Sequence, residues 1–175
     1  MKLVSPTGHK KITLQENEHV EILLEDFKPG SRKFTLEVEL VGQNAHCEIS
    51  GRAQTSKQDT KEWTITQKFL GKNQTGRIEL RGVAEDKSFL KFDGSVVLEK
   101  VSRNADAKIS ERIMLFDKGR GKLLPILTVK TDNVRSASHS ASIAPAEEEK
   151  ILFLTSRGIP KKESEKMIKE GFLKC

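Results

Sequence analysis

From Arg32 to Leu40 apolar and polar residues alternate without a break, with Phe34, Leu36, Val38 and Leu40 on one face and Lys33, Thr35, Glu37 and Glu39 on the other. A period of two marks a strand with one buried face. Shorter pieces of the same pattern fill most of the chain. Ile12 and Leu14 alternate, then Val20, Ile22 and Leu24, with Asn17 between the two runs. Ala45–Ile49, Trp63–Thr66, Arg77–Leu80, Phe89–Phe92, Ser95–Glu99, Ile113–Phe116 and Ile126–Val129 follow as short strands. Turn signals separate them: Lys28-Pro29-Gly30, Gly42-Gln43-Asn44, Gly51, Gly71 to Gln74, Gly82, Asp93-Gly94 and Gly119-Arg120-Gly121. Gly and Pro there supply the backbone angles a turn needs. The polar stretch from Gln54 to Lys61 reads as a loop.

Many short strands with regular turns mean an all-β domain, and sandwich, barrel and solenoid all fit that pattern. Two features favour a solenoid. The strands look only about three to five residues long, and small residues recur at their ends, where a coil must turn tightly. No strict repeat of fixed period stands out. After Val134 the chain changes character. A small-residue patch, Ser136 to Ser142, carries His139 at its centre. Beyond it Pro145 suits a first helical turn, and Glu147, Glu148 and Glu149 sit where the positive end of a helix dipole favours acids. Ile151, Leu152, Phe153 and Leu154 form the expected apolar face, and Gly158 the terminator. A second helix runs from Pro160 through Glu170, anchored by Ile168 and Phe172 and ended by Gly171. At about ten residues neither helix stands alone in water. The expected organisation is a β domain over 1–143 and a helical segment over 144–175.

Composition narrows the function classes. A chain of 175 residues can bury a core without metal or disulfide staples. No apolar run is long enough to cross a bilayer. The N-terminus lacks the apolar centre of a signal peptide, and Cys47 and Cys175 make no disulfide framework, so a reducing cytoplasm is expected. The net charge of +6 permits polyanion binding. Yet basic and acidic residues are mixed almost everywhere, and no aromatic-rich strand offers a base-stacking surface, which speaks against nucleic acid.

Candidate chemistry is sparse. His139 is the one group in its patch that titrates near neutral pH or could ligate a metal. No other His, Cys or carboxylate lies near it at a ligand spacing, so a site there must be assembled from distant residues or a second chain. His46 and Cys47 are neighbours on a strand and face opposite ways, which leaves Cys47 as a small core residue. Gly119-Arg120-Gly121-Lys122 lacks the spacing of a nucleotide loop and no helix pattern follows it. Neither a nucleophile–base pair nor paired carboxylates emerge, so the residues do not point to an enzyme.

Two stretches carry a resemblance. Val134 to Ile143 sets a Ser-His-Ser-Ala corner at the end of a strand, and Glu148 to Pro160 follows with an acidic start, an apolar run and Ser156-Arg157-Gly158-Ile159. Together they resemble the C-terminal signature of the SufB/SufD family of iron–sulfur cluster assembly scaffolds. Gly94 to Leu115, Met114 to Asp117, Pro125-Ile126-Leu127 and Glu163 to Phe172 are similar as well. The likeness runs over roughly Leu36 to Leu173 and is strongest after Lys91.

The resemblance implies a right-handed parallel β-helix with a short C-terminal two-helix segment. It also implies a non-catalytic scaffold or partner subunit that handles a transient iron–sulfur cluster. Family members pair through the β-helix near the histidine corner, and their helical ends dock an ATPase, SufC. His139 then matches the interface histidine and is the implied metal contact, with Asp117 and Lys118 on a neighbouring turn. Phe153, Arg157, Ile168 and Phe172 become the docking helices' residues. A homodimer or a SufB/SufD-type partner is expected, and a SufC-type ATPase as a further partner. The chain departs from SufB where that protein has an interface cysteine, reading Asp117-Lys118-Gly119-Arg120, and Ser140 follows the histidine where SufB has glutamate. Ala137 stands where SufD commonly has cysteine. These departures place the chain nearer SufD. They also support an alternative, a truncated paralogue that keeps the fold and serves only as an interaction module without a cluster.

Overall fold

The computed structural model describes residues 2–174. Twelve strands and two helices follow in order. The strands are β1 (Lys2–Val4), β2 (Gly8–Leu14), β3 (His19–Asp26), β4 (Arg32–Leu40), β5 (His46–Thr55), β6 (Thr60–Phe69), β7 (Thr75–Ala84), β8 (Phe89–Leu98), β9 (Ala105–Leu115), β10 (Arg120–Leu123), β11 (Ile126–Val129) and β12 (Val134–Pro145). The helices are α1 (Glu148–Thr155) and α2 (Lys161–Lys174). Odd-numbered strands up to β9, followed by β12, form one sheet in the order β1-β3-β5-β7-β9-β12. The other sheet runs β10-β8-β6-β4-β2, with β11 also on β8. Consecutive strands up to β10 therefore lie in opposite sheets, and every ladder is parallel. This is a β-solenoid of about five turns, flattened into two facing sheets.

Stacking like on like explains why the alternation is so regular. Inward positions of successive coils fall into columns. Ile22, Ile49, Ile78 and Ile109 make one. Phe34, Trp63 and Phe92 make another, with ring centroids 6.1 and 5.4 Å apart. Offset and edge contacts of this kind add to the area they bury.

The strands are longer than the sequence reading allows, ten residues in each of β5, β6, β7 and β8. Gly51, Gly82 and Gly94, read as breaks, lie inside strands. Each sits in an inward column where a neighbour needs its space. A Cβ on Gly82 would come 2.2 Å from a Leu90 methyl, and one on Gly51 2.6 Å from Leu80. Glycine in a strand interior marks such close approach. The expected loop from Gln54 to Lys61 shrinks to four residues, because Thr55 and Lys61 both face the core.

A repeat does exist, and asparagines mark it. Asn17, Asn44, Asn73 and Asn104 all hold left-handed backbone, φ between 51° and 58°. Asparagine tolerates that region better than most residues. Their amides form a ladder along one edge: Asn44 Nδ2 donates to Asn17 Oδ1 at 2.9 Å, Asn73 to Asn44 at 3.2 Å and Asn104 to Asn73 at 2.9 Å. The spacings are 27, 29 and 31 residues, an uneven period that conceals the repeat. Asn73→Ala removes both a strained-backbone preference and two ladder bonds. We expect a loss of about 2 kcal/mol in urea unfolding, and Asn73→Gly recovers part of it.

The helices close the chain beside the last coils. Pro145 belongs to β12, opposite Leu115, and does not start the helix. Ala146 N–H still bonds Leu115 at 2.8 Å, so the ladder holds the chain extended to that point. α1 begins at Glu148 with acids in its first turn. Gly158 takes φ of 84° past its end, as expected of a terminator. α2 continues through Gly171, where the turn meets open space and has no reason to stop. Val83, Phe116 and Leu173 form a small second core, joined by Ile151, Ile168 and Phe172.

Candidate functional site at the open end of the solenoid

β12 is the last strand of its sheet and pairs only with β9. Every earlier strand from β3 to β9 alternates buried and accessible residues, whereas no residue of β12 is buried. The opposing strands at that level, β10 and β11, have four residues each and leave it partly uncovered. Its outer edge carries backbone N–H and C=O groups without a further strand, a template for pairing.

Register decides what each residue of β12 can do. His139 lies opposite Ile109, so it takes the fifth place in the isoleucine column. An imidazole thus stands where an apolar core residue is due, and it is exposed. Ser138, Ser140 and Ser142 lie on the other face, over Lys108, Ser110 and Arg112. Ser140 and Ser110 join hydroxyls at 3.2 Å. The patch is therefore a straight edge strand and not the packed corner that its small residues suggest.

The structure adds one residue that sequence reasoning missed. Glu111 follows Leu24, Gly51 and Leu80 in the next inward column and lies under Ala141. It is fully buried, and neither carboxylate oxygen has a hydrogen-bond partner. Burial pushes its pKa up to about 7; the backbone N–H groups of Gly94 and Leu124, near the carboxyl but outside hydrogen-bonding geometry, offset part of the shift, and the Asp93 charge adds to it. His139 and Glu111 occupy diagonal inward positions on adjacent strands, with Cβ atoms roughly 7 Å apart. A proton-holding carboxyl and an imidazole thus flank the open end. The residue type of Glu111 carried no signal by itself; its place in the leucine column did.

Asp117 and Lys118 are elsewhere. Asp117 holds φ of 53° on a corner stacked with Lys57 and Asp86. The strand from His139 to Pro145 separates that corner from the imidazole by roughly 20 Å. Among the helix residues, Ile168 and Phe172 pack against the second core, and Arg81 donates to the Phe172 carbonyl at 3.2 Å. Leu152 and Phe153, expected on the apolar face of α1, point outward at 69% and 55% exposure. Arg157 covers the Phe153 ring at 3.6 Å. Cys47 is buried three coils from the open end, and Cys175 lies outside the described residues. Among the described residues no three metal-ligating side chains converge at His139.

Fold and site together define a parallel β-solenoid whose last strand presents a histidine-bearing edge, followed by two closing helices. Comparison with known proteins says which such solenoid this is. The family model for the SUF system FeS cluster assembly, SufBD core domain, matches residues 4–172, and the chain belongs to that family. Iron-sulfur cluster assembly protein SufD of Bacillus subtilis is 35% identical over 117 residues, 66% of this chain and 26% of that protein. Iron-sulfur cluster assembly protein SufB of the same organism is 26% identical over 145 residues, 82% of this chain and 28% of the other. A SufBD family protein of Pyrococcus horikoshii is 28% identical over 138 residues, 76% and 29% respectively. The chain thus spans between a quarter and a third of the length of these relatives.

Proposed function

We propose that this chain is a non-catalytic scaffold or partner subunit of iron–sulfur cluster assembly in the cytoplasm, pairing through the β12 edge with a second copy or with a SufB/SufD-type partner. The single observation that supports it is His139 at the exposed end of an isoleucine column. A core position given to an imidazole, on a strand with an uncovered edge, serves an interface better than a core. A second copy docked about a two-fold axis would bring two such imidazoles together, and the nascent cluster is the cargo. Imidazole accepts iron, though thiolate binds it better. The outward Phe153–Arg157 pair, with Ile168 and Phe172 holding α2 in place, is the surface we assign to a SufC-type ATPase.

Anaerobic reconstitution with ferrous iron and sulfide tests the ligand role. We expect wild type to retain iron and His139→Ala to lose most of it, while both sediment as the same dimer. Equal, negligible iron in both removes the ligand claim. A second reading has its own support: the thiol of Cys47 is buried away from the open end. On that reading the chain is an interaction module without a cluster. Capture of a purified SufC-type ATPase without iron retention selects it.

A further inference from the structure

The outer face of the odd-numbered sheet carries a second cluster of titratable groups, three and four coils from His139. His19 and His46 lie directly opposite each other on β3 and β5, and Glu21 and Glu48 do the same one pleat further on. Residues two apart on a strand share a face, so the four side chains form a square array on the surface. The imidazole rings stack with centroids 4.1 Å apart, tilted by 33°. His46 Nε2 lies 3.2 Å from Glu48 Oε1, and His19 Nε2 lies 3.9 Å from Glu21 Oε1. Each ring thus turns the same nitrogen toward the carboxylate of its own strand. All four groups are accessible, from 24% for His46 to 60% for His19.

We propose that His19, His46, Glu21 and Glu48 form a binding site for a divalent first-row transition cation of the zinc, nickel or copper type. Imidazole nitrogen with carboxylate oxygen is the donor set those ions take. As the side chains stand, no three of them are placed to hold a metal ion together. Contraction to metal–ligand distances of about 2.1 Å needs only rotation of exposed side chains, because the backbone register already places both nitrogens on one side of the array. Arg77 lies opposite Glu48 on β7. It is engaged by both oxygens of Asp106 at 2.8 and 2.9 Å, so its charge is offset away from the array. Hard cations such as calcium prefer six or more oxygens, which this array does not supply. This site stands independently of the role assigned to His139.

Titration of the full chain with zinc chloride in a calorimeter tests it, together with copper(II) electron paramagnetic resonance on the wild-type protein. We expect one saturable zinc site per chain, unchanged in His139→Ala. We expect it weakened by roughly tenfold or more in His19→Gln and in His46→Gln, the scale on which losing a metal-site group acts. Copper should show hyperfine coupling to two nitrogens. No saturable zinc binding, binding unchanged in His46→Gln, binding abolished by Cys175→Ser, or coupling to fewer than two nitrogens would each overturn the proposal.

Discussion

Asp26→Ala is expected to lower the unfolding free energy by about 3–5 kcal/mol, among the largest effects of any single change in this chain. Asp26 and Lys61 are both buried, with side chains 1% and 0% exposed. The Lys61 ammonium donates to Asp26 Oδ1 at 2.8 Å, and to the carbonyls of Asp26, Lys28 and Gln54 at 3.0, 2.8 and 2.6 Å. Those four acceptors surround a charge that burial alone would drive toward the neutral amine, and burial does hold its pKa below the usual lysine value. Removing the carboxylate leaves the cation in the core with dipoles only. Arg32, 3.4 Å from the same carboxylate oxygen, loses its anionic partner and keeps the carbonyls of Lys28 and Pro29. Replacing both members, Asp26→Ala with Lys61→Met, should recover most of the loss, since a buried ion pair is often no better than apolar packing of similar volume. The exposed pair of Lys150 and Glu147 at 2.8 Å is the control, worth less than about 1 kcal/mol. Urea titrations of the three variants decide the matter. A single-variant loss near that of the control would show that the core tolerates the unpaired cation.

Lys61 also shows what could be seen in the sequence and what could not. The alternation from Arg32 to Leu40 is visible in the residues, and the structure keeps it over all nine positions. Lys61 breaks the same alternation in β6, so the stretch from Gln54 to Lys61 reads as a polar loop. Its partner lies 35 residues earlier, in the coil beneath, and no local pattern connects the two. Gly51, Gly82 and Gly94 misled for a related reason: they punctuate the sequence like turns, yet their lack of a side chain serves a neighbour in an adjacent coil. The asparagine ladder was the available clue to the coil length. Its uneven spacing arises because the corners differ in length while the strands stay in register. His139 was visible as the one titratable group in its patch. Its inward register, and Glu111 beside it, required the pairing of β12 with β9.

Glu111→Gln is expected to stabilise the protein, and the gain should depend on pH in a defined sense. The carboxyl in the folded chain ionises at about 7, against an ordinary value of 4.5. A raised carboxyl pKa means that the folded state binds more protons than the unfolded state between those two values. Stability therefore falls as pH rises from 4.5 to 7, and levels off above. The total fall from this group is on the order of 3 kcal/mol. Glutamine has the same shape and no charge, so the variant should match wild type near pH 4.5 and exceed it by that amount near pH 8. Other carboxylates pull the opposite way. Asp106, hydrogen-bonded to Arg77, and Glu37, hydrogen-bonded to Lys68, are held below their ordinary values. Their contributions cancel in the difference between variant and wild type. Urea unfolding at pH 4.5, 6 and 8 gives that difference directly, and parallel curves would mean that Glu111 ionises in the fold as readily as in water. A penalty that vanishes with one amide substitution, kept in the column beside the open-end histidine, is what a site maintained for chemistry and not for stability would carry. Measuring iron retention in Glu111→Gln alongside its stability separates the two: a more stable chain that holds less iron ties the buried proton to the open end.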